Sequence, residues 1–230
     1  MWGLWFNLLL ISTDCQNFTA STVRAYNTLA LSYQSSHAHV SPNVVRLREG
    51  FISLLPKKGR ILDLGSGPGR DSSYFQNQGY WVTAIDPSQE MVKLAQNALG
   101  ELGEALTLSA EQMYFEGSYD GVWAMASLIH IPNKALKDVF VRIYRALKPG
   151  GIFLGSFIKG IGVPDQGETI GDGRFFNRVS QGRLLQIVAE IPGFEVIPEL
   201  TYTNDDDFHG ANKPSPDFGF FNLTLRKKVE

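Results

Sequence analysis

A glycine-rich loop flanked by acids is the part of this sequence whose residues could carry chemistry. Residues 61–69 read ILDLGSGPG, with Asp63 inside an apolar run and Gly65, Gly67 and Gly69 directly after it. Glycines at this spacing let a backbone approach a bound ligand closely. Asp86 ends the next apolar run, about twenty residues past the first glycine, where a carboxylate can accept both hydroxyls of a ribose. The spacing predicts a nucleotide site.

Asp63 and Arg70 indicate which nucleotide this is. The dinucleotide fingerprint requires a third glycine where this chain has Arg70, which argues against a bound pyrophosphate. A carboxylate inside an apolar strand must be paired or face a ligand, and a cationic ligand would stabilise Asp63. S-adenosylmethionine (SAM) carries a sulfonium, an ammonium and a ribose but no phosphate, so it suits these acids. The alternative for the protein is an NAD-binding oxidoreductase. The alternative for Asp86 is a plain helix N-cap.

The apolar pattern around these residues alternates between strands and helices, which predicts a parallel sheet covered on both faces. A glycine-dense segment, residues 159–177, interrupts the alternation and is predicted to be an irregular loop. The predicted strands are Ile61–Leu64, Trp81–Ile85, Leu106–Ser109, Tyr119–Ala126, Gly151–Phe157, Phe194–Thr201 and Phe218–Arg226. The predicted helices lie in residues 17–55 and around Arg70–Gln78, Ser88–Leu99, Lys134–Ala146 and 179–193.

Composition limits the partners. Lys and Arg number 21 against 23 Asp and Glu, a net charge of −2, which provides no basic surface for nucleic acid or an anionic membrane. A single cysteine, Cys15, excludes a multi-cysteine metal site and fits a reducing cytoplasm. The histidines lack zinc spacing, and residues 205–207 (Asp-Asp-Asp) are interpreted as a solvated turn. We predict no metal, no nucleic acid and no membrane partner; no signal indicates an oligomeric state.

The N-terminal residues differ from the rest of the chain. Residues 1–16 begin MWGLWFNLLLIS, an apolar run too short to span a bilayer and without the positive start of a signal peptide. We interpret them as an extension with little structural role; a docking segment and a degenerate signal are the alternatives. Residues 17–55 are predicted to form N-terminal helices, and residues 56–230 the main domain.

Five segments, in order, are ILDLGSGPGRDS, AIDPS, LSAEQMYF, YDGVWAMASLIHIP and ALKPGGIFLGSF. They resemble the ordered motifs of the class I SAM-dependent methyltransferases, and the resemblance extends to the final strand. It implies a Rossmann-like α/β fold with a doubly wound, seven-stranded, mainly parallel sheet, an antiparallel last strand and helices on both faces. It also implies SAM as cofactor and S-adenosylhomocysteine (SAH) as product.

The resemblance assigns roles within the cofactor site. The three loop glycines match the loop under the methionyl and ribose parts of SAM, Asp63 the acid near the methionyl ammonium, and Asp86 the ribose clamp. The family commonly has Asp where this chain has Ser109, so Ser109 or Glu111 would meet the adenine amino group, and we favour Glu111. The full predicted cofactor set is Tyr33, Asp63, Gly65, Ser66, Gly67, Gly69, Arg70, Asp86, Pro87, Ser88, Met91, Ala110, Glu111 and Ser127.

The resemblance says less about the residues that bind the methyl acceptor. His130, in the segment SLIH, is predicted either to take a proton from the acceptor as a catalytic residue or to line the pocket. The segment AYNTLALSY resembles the N-terminal part that small-molecule members lay over the cofactor, so residues 17–55 are expected to cover the site. The predicted acceptor-binding set is Tyr26, His130, Glu168, Asp172 and Arg174.

These observations predict a cytoplasmic SAM-dependent methyltransferase (EC 2.1.1.-) that methylates an O, N or C nucleophile of a small-molecule acceptor. The donor is already activated, so holding the nucleophile, methyl and sulfur in line supplies most of the acceleration and a base is optional. The alternatives are a catalytically silent SAM-binding regulatory protein and a tRNA or protein methyltransferase.

Overall fold

Two helices precede the sheet. The computed structural model describes residues 13–159, 167–204 and 219–229, with only the backbone of residues 13–18 and 204. Helix α1 spans Thr13–Ser36 and α2 spans Pro42–Ser53. Ser41 caps α2 by accepting a hydrogen bond from the Val44 N–H at 3.3 Å, and proline occupies the first turn. Most of the predicted extension, residues 1–12, and the acidic residues 205–207 lie outside the described residues.

The rest of the chain alternates strands and helices as predicted up to residue 159. Its strands there are β1 (Arg60–Leu64), β2 (Trp81–Asp86), β3 (Glu104–Thr107), β4 (Tyr119–Ala124) and β5 (Leu147–Lys159). Its helices there are α3 (Arg70–Asn77), α4 (Gln89–Leu99) and α5 (Asn133–Ala146). The C-terminal part contains β6 (Gly167–Thr169), β7 (Phe175–Val179), α6 (Gln181–Ala189), β8 (Phe194–Val196), β9 (Tyr202–Asn204) and β10 (Phe220–Lys227). Short 3₁₀ turns cover Gly100–Leu102, Leu128–His130 and Pro198–Leu200.

The main sheet has the order β3-β2-β1-β4-β5-β10-β8. Strands β1 to β5 run parallel to one another, whereas β10 is antiparallel to both β5 and β8. The predicted fold class, with an antiparallel last strand, is therefore confirmed, and the short strands β6, β7 and β9 are added to the seven of the main order.

Helices cover both faces of the sheet, each over its own apolar core. On one face α2, α3 and α4 bury Phe51, Phe75 and Trp123, which touch one another at ring-centre distances of 5.2–5.6 Å. On the other face α5 and α6 pack against the sheet through residues such as Phe140 and Ile187. Because both faces are covered, a ligand can reach the sheet only at the ends of its strands.

Two predictions for the C-terminal part are wrong. Residues 167–169 and 175–179 form a β-hairpin rather than an irregular loop, and β7 also pairs with the end of β5. The buried positions of β7 alternate along the strand, but one of them is the polar residue Asn177. The sequence therefore lacks the alternating apolar residues that would predict a strand here. The predicted strand Phe194–Thr201 is interrupted at Pro198, since proline cannot donate to a sheet: only Phe194–Val196 form a strand, β8, a 3₁₀ turn follows, and β9 begins beyond the predicted range at Tyr202.

Candidate functional site

The glycine loop between β1 and α3 lies at the carboxyl end of β1, beside the point where the strand order reverses between β1 and β4. Gly65, Gly67 and Gly69 all have positive φ, at +71°, +54° and +82°. A Cβ on Gly65 would lie 2.3 Å from the Ser127 Cβ, whereas a Cβ on Gly67 would meet no atom within 4 Å. The loop therefore packs tightly on its Gly65 side and stays open at Gly67.

Asp86, at the end of β2, is joined to this loop. Its Oδ2 accepts from the Gly67 N–H at 3.0 Å and its Oδ1 from the Ser88 N–H at 2.8 Å. Burial raises the pKa of the Asp86 carboxyl to about 6, although these two hydrogen bonds lower it. Each oxygen keeps a lone pair after these bonds, so the carboxylate can still accept two hydroxyls that lie side by side.

Asp63 lies in β1 beneath the loop and is 2% exposed. The Ser72 hydroxyl donates to its Oδ2 at 2.5 Å. Burial, reinforced by the nearby charge of Asp71, raises the pKa of the Asp63 carboxyl to about 7. A carboxyl in this state gains from a cation placed beside it, because the cation would hold the charged form.

A buried ion cluster that the sequence reading missed surrounds Asp71, at the start of α3. Its carboxylate accepts hydrogen bonds from Arg48, from Arg70 Nε at 2.9 Å and from the Trp123 indole at 2.8 Å. Burial would raise the pKa of Asp71, but the two arginines outweigh it and hold that pKa below its usual value. No spacing in the sequence relates Arg48 to Asp71, since α2 brings them together only in the folded chain.

Helix α1 covers the cavity through a row of polar contacts. Thr19 donates to the Glu111 carboxylate at 3.2 Å, and the Ser88 hydroxyl donates to Asn27 at 2.7 Å. The Phe175 N–H donates to the Thr22 hydroxyl oxygen at 2.9 Å, which ties α1 to β7. Helix α1 therefore lies over the cavity, whereas α2 contributes no residue to its described lining and packs into an apolar core through Phe51.

Tyr26 and His130 form a hydrogen-bonded pair in the same cavity. His130 Nδ1 lies 2.6 Å from the Phe175 carbonyl oxygen, so Nδ1 must carry the hydrogen. Burial lowers the pKa of His130 to about 4, which leaves Nε2 unprotonated at neutral pH. The Tyr26 hydroxyl, 2.8 Å from Nε2, therefore donates to it.

These residues line one open cavity of about 1100 Å³, a volume that includes the space at its mouth. It brings together thirteen of the fourteen residues of the predicted cofactor set, and Gly69 lies behind them against α4. Of the predicted acceptor set, only Tyr26 and His130 line the cavity. Further lining residues that the sequence reading did not single out are Thr19, Thr22, Val23, His37, Leu64, Pro68, Asp71, Leu108, Met125, Ala126, Leu128 and Ile131.

The other three residues of the predicted acceptor set belong to the hairpin outside this lining. Glu168 pairs with Arg178 on β7 and is exposed. Asp172 pairs with Arg174 at 2.7 Å, and the Arg174 guanidinium lies over the rings of Tyr26 and Phe176. Arg174 also donates a hydrogen bond to the Tyr26 hydroxyl oxygen, so it reaches the site through Tyr26.

The structure distinguishes Ser109 from Glu111, the two residues predicted to meet the adenine amino group. Glu111 lines the cavity, whereas the Ser109 hydroxyl donates to Gln112 at 3.3 Å and is absent from the lining.

Among the residues that the structure describes, no three His, Cys, Asp or Glu side chains are grouped so that they could hold a metal ion. Nor does any helix in the described ranges combine the length and apolar character needed to cross a bilayer.

Comparison with known proteins adds a family to this geometry. Residues 61–151 match the family described as "Methyltransferase domain". The ubiquinone biosynthesis O-methyltransferase of Xanthomonas axonopodis pv. citri (strain 306) is 33% identical over 147 residues, 59% of each chain. The chain spans 30–59% of the length of the curated methyltransferases it matches.

Solved structures share the fold at low identity. The 1,6-didemethyltoxoflavin-N1-methyltransferase of Burkholderia thailandensis, solved with SAH, has a TM-score of 0.73 at 20% identity and covers 97% of this chain and 93% of its own. The [4+2]-cyclase SpnF has a TM-score of 0.72, also at 20% identity, and covers 92% of this chain and 97% of its own. The fold alone thus occurs in a methyltransferase and in a cyclase. The ordered motifs and the family match together identify residues 61–151 as a methyltransferase domain of the class I SAM-dependent type.

Proposed function

We propose that the protein transfers the methyl group of SAM to an O, N or C nucleophile of a small-molecule acceptor. The observation that carries this proposal is the convergence of Asp63, Asp86 and the glycine loop on one cavity at the carboxyl ends of β1 and β2. When bound, SAM supplies a methyl group already activated by a sulfonium. The protein then has to hold it and the acceptor in line and exclude water.

The lining residues suit the groups of SAM. Asp86 accepts the two ribose hydroxyls, and buried Asp63 faces the methionyl ammonium. Arg70 is the one arginine or lysine of the described cavity lining, and it suits the methionyl carboxylate. Glu111 accepts from the adenine amino group, with Pro87 and Met91 as the walls of the adenine pocket. These assignments place no phosphate group of the ligand against any of these residues.

The position of α1 over the cavity favours a small acceptor. Helix α1 lies over one side of the cavity through Thr19, Thr22 and Asn27, which favours an acceptor small enough to fit beneath it. The net charge of −2 gives no support for a tRNA acceptor. The named relatives, one in ubiquinone biosynthesis and one acting on 1,6-didemethyltoxoflavin, favour a small molecule as well. We further propose a cytoplasmic location, which the single cysteine supports.

The test is a calorimetric titration of the protein with SAH, with NADH titrated alongside. We expect SAH alone to bind, and Asp86→Asn to weaken it at least tenfold, about 1.4 kcal/mol, because the ribose loses an anionic acceptor. Asp138→Asn, on the exposed side of α5, is the matched control and should bind SAH as the unchanged protein does.

Three results would count against the proposal. Wild-type affinity in Asp86→Asn would remove the ribose assignment. Binding of NADH but not SAH would indicate an oxidoreductase. SAH binding without methyl transfer to any class of nucleophile would favour the silent regulatory alternative.

A further inference from the structure

We infer that the methyl acceptor is an uncharged molecule that presents a protonated nucleophile, O–H or N–H, to the Tyr26 hydroxyl oxygen. This inference rests on the proposed function and names the class of acceptor. It concerns the part of the cavity outside the predicted cofactor set, between α1 and the chain after β4. Its lining there includes Val23, Tyr26, Met125, Leu128, His130 and Ile131, six residues that we term the acceptor end.

The hydrogen bonds of the acceptor end determine which partner it can bind. The Phe175 carbonyl fixes the hydrogen of His130 on Nδ1, so Nε2 takes the only hydrogen of the Tyr26 hydroxyl. The Tyr26 oxygen also accepts a hydrogen bond from the Arg174 guanidinium, so Tyr26 offers a ligand only its remaining lone pair. A ligand with an O–H or N–H completes this chain of hydrogen bonds, whereas a ligand that only accepts would place lone pair against lone pair.

Ser127, where the cofactor loop meets the acceptor end, is engaged in the same way. Its hydroxyl donates to the Leu64 carbonyl at 2.6 Å, so it too offers only lone pairs to the cavity. Two hydroxyls of the cavity therefore offer lone pairs and favour a ligand that donates hydrogens. From these two hydroxyls an anionic carboxylate or phosphate gains no donor, and a buried polar group without a partner weakens binding.

The charges of the cavity also oppose an anionic acceptor. In the described part of the chain, Asp63, Asp86 and Glu111 line the cavity without an ion pair to a cation, and Arg70 is paired with Asp71. Arg174, a further cation beside this end of the cavity, hydrogen-bonds the Tyr26 hydroxyl and lies over the rings of Tyr26 and Phe176, but its charge is paired with Asp172. Val23, Leu128 and Ile131 supply apolar walls, so a neutral and largely apolar body fits between them.

Three naphthalene compounds of similar shape test whether the site prefers a neutral donor. 1-Naphthol donates a hydrogen, 1-methoxynaphthalene does not, and 1-naphthoate is anionic. Their affinities for the SAH-saturated protein would be measured by equilibrium dialysis. We expect 1-naphthol to bind at least tenfold more tightly than 1-naphthoate. Tyr26→Phe should weaken 1-naphthol about fivefold to tenfold, the effect of one hydrogen bond, and leave 1-methoxynaphthalene within about twofold.

Two further variants sharpen the test. Tyr114→Phe, at a tyrosine that is 77% exposed, is the matched control and should change none of the affinities. His130→Leu removes the acceptor of the Tyr26 hydrogen and so turns Tyr26 into a donor. In that variant we expect the preference for 1-naphthol over 1-naphthoate to shrink at least about threefold.

The outcomes distinguish this inference from the proposed function. If the protein binds no SAH, the proposed function fails first. If SAH binds but 1-naphthoate equals or exceeds 1-naphthol, or 1-naphthol does not bind, only the inferred acceptor class is refuted. These comparisons on the unchanged protein hold even if a variant fails to fold. An unaltered 1-naphthol affinity in folded Tyr26→Phe would equally refute the role of Tyr26.

Discussion

Binding of SAH should release a proton from Asp63. In the free protein, burial and the charge of Asp71 raise the pKa of Asp63 to about 7, and burial raises that of Asp86 to about 6. The ammonium of the ligand favours the ionised form of Asp63, and the ribose hydroxyls favour the ionised form of Asp86. Each carboxyl that is protonated before binding must therefore lose its proton, and affinity must rise with pH.

The size of the effect follows from these two pKa values. At pH 6.5 Asp63 is protonated in about three-quarters of the free molecules and Asp86 in about a quarter, so binding releases about one proton. At pH 8.5 it releases almost none, and affinity should be about fivefold higher than at pH 6.5. His130, with its pKa lowered to about 4 by burial, and Asp71, with its pKa held low by two arginines against burial, do not titrate in this range.

The assay is calorimetry of SAH binding at each pH in two buffers of different ionisation enthalpy, which counts the protons released. Asp63→Asn should bind more weakly at pH 8.5, and its count at pH 6.5 should fall to the quarter proton of Asp86. Asp138→Asn is again the control. A count near zero at pH 6.5 for the unchanged protein, or an unchanged count in Asp63→Asn, would refute the reasoning.

Two stability predictions follow from the packing of the loop and the ion cluster. Gly65→Ala forces a methyl group to 2.3 Å from the Ser127 Cβ and should lower the free energy of unfolding by about 2–4 kcal/mol. Gly67→Ala has open space and should cost only about 1 kcal/mol, yet weaken SAH binding; urea unfolding and calorimetry check both, and equal destabilisation would contradict the packing argument. Arg48→Met removes a buried partner of Asp71 and should cost about 3 kcal/mol in urea unfolding. Arg46→Met, at an exposed arginine of α2, should cost under about 1 kcal/mol, and a similar loss in both would contradict a special role for Arg48.

Local pattern was enough to predict the fold class and the region of the cofactor cavity. Apolar runs of strand length, glycines with positive φ and acids at strand ends are properties of neighbouring residues, so they are visible in the sequence. The parallel strands then have to place their carboxyl ends together, which brings Asp63, Asp86 and the loop glycines to one edge. The pattern failed at β7, where the buried polar residue Asn177 hid the alternation.

Contacts between distant residues were decided only by the tertiary structure. Arg48 meets Asp71 because α2 packs across α3, and Tyr26 meets His130 104 residues away because α1 lies over the cavity. Neither pairing leaves a periodicity in the sequence, since helix packing joins segments whose separation along the chain is arbitrary. The direction in which the Tyr26 and His130 hydrogens point depends on the Phe175 carbonyl of β7. Residue types and spacing therefore predicted most of the residues that line the cavity, and the three-dimensional packing determined which hydrogen-bonding groups face it.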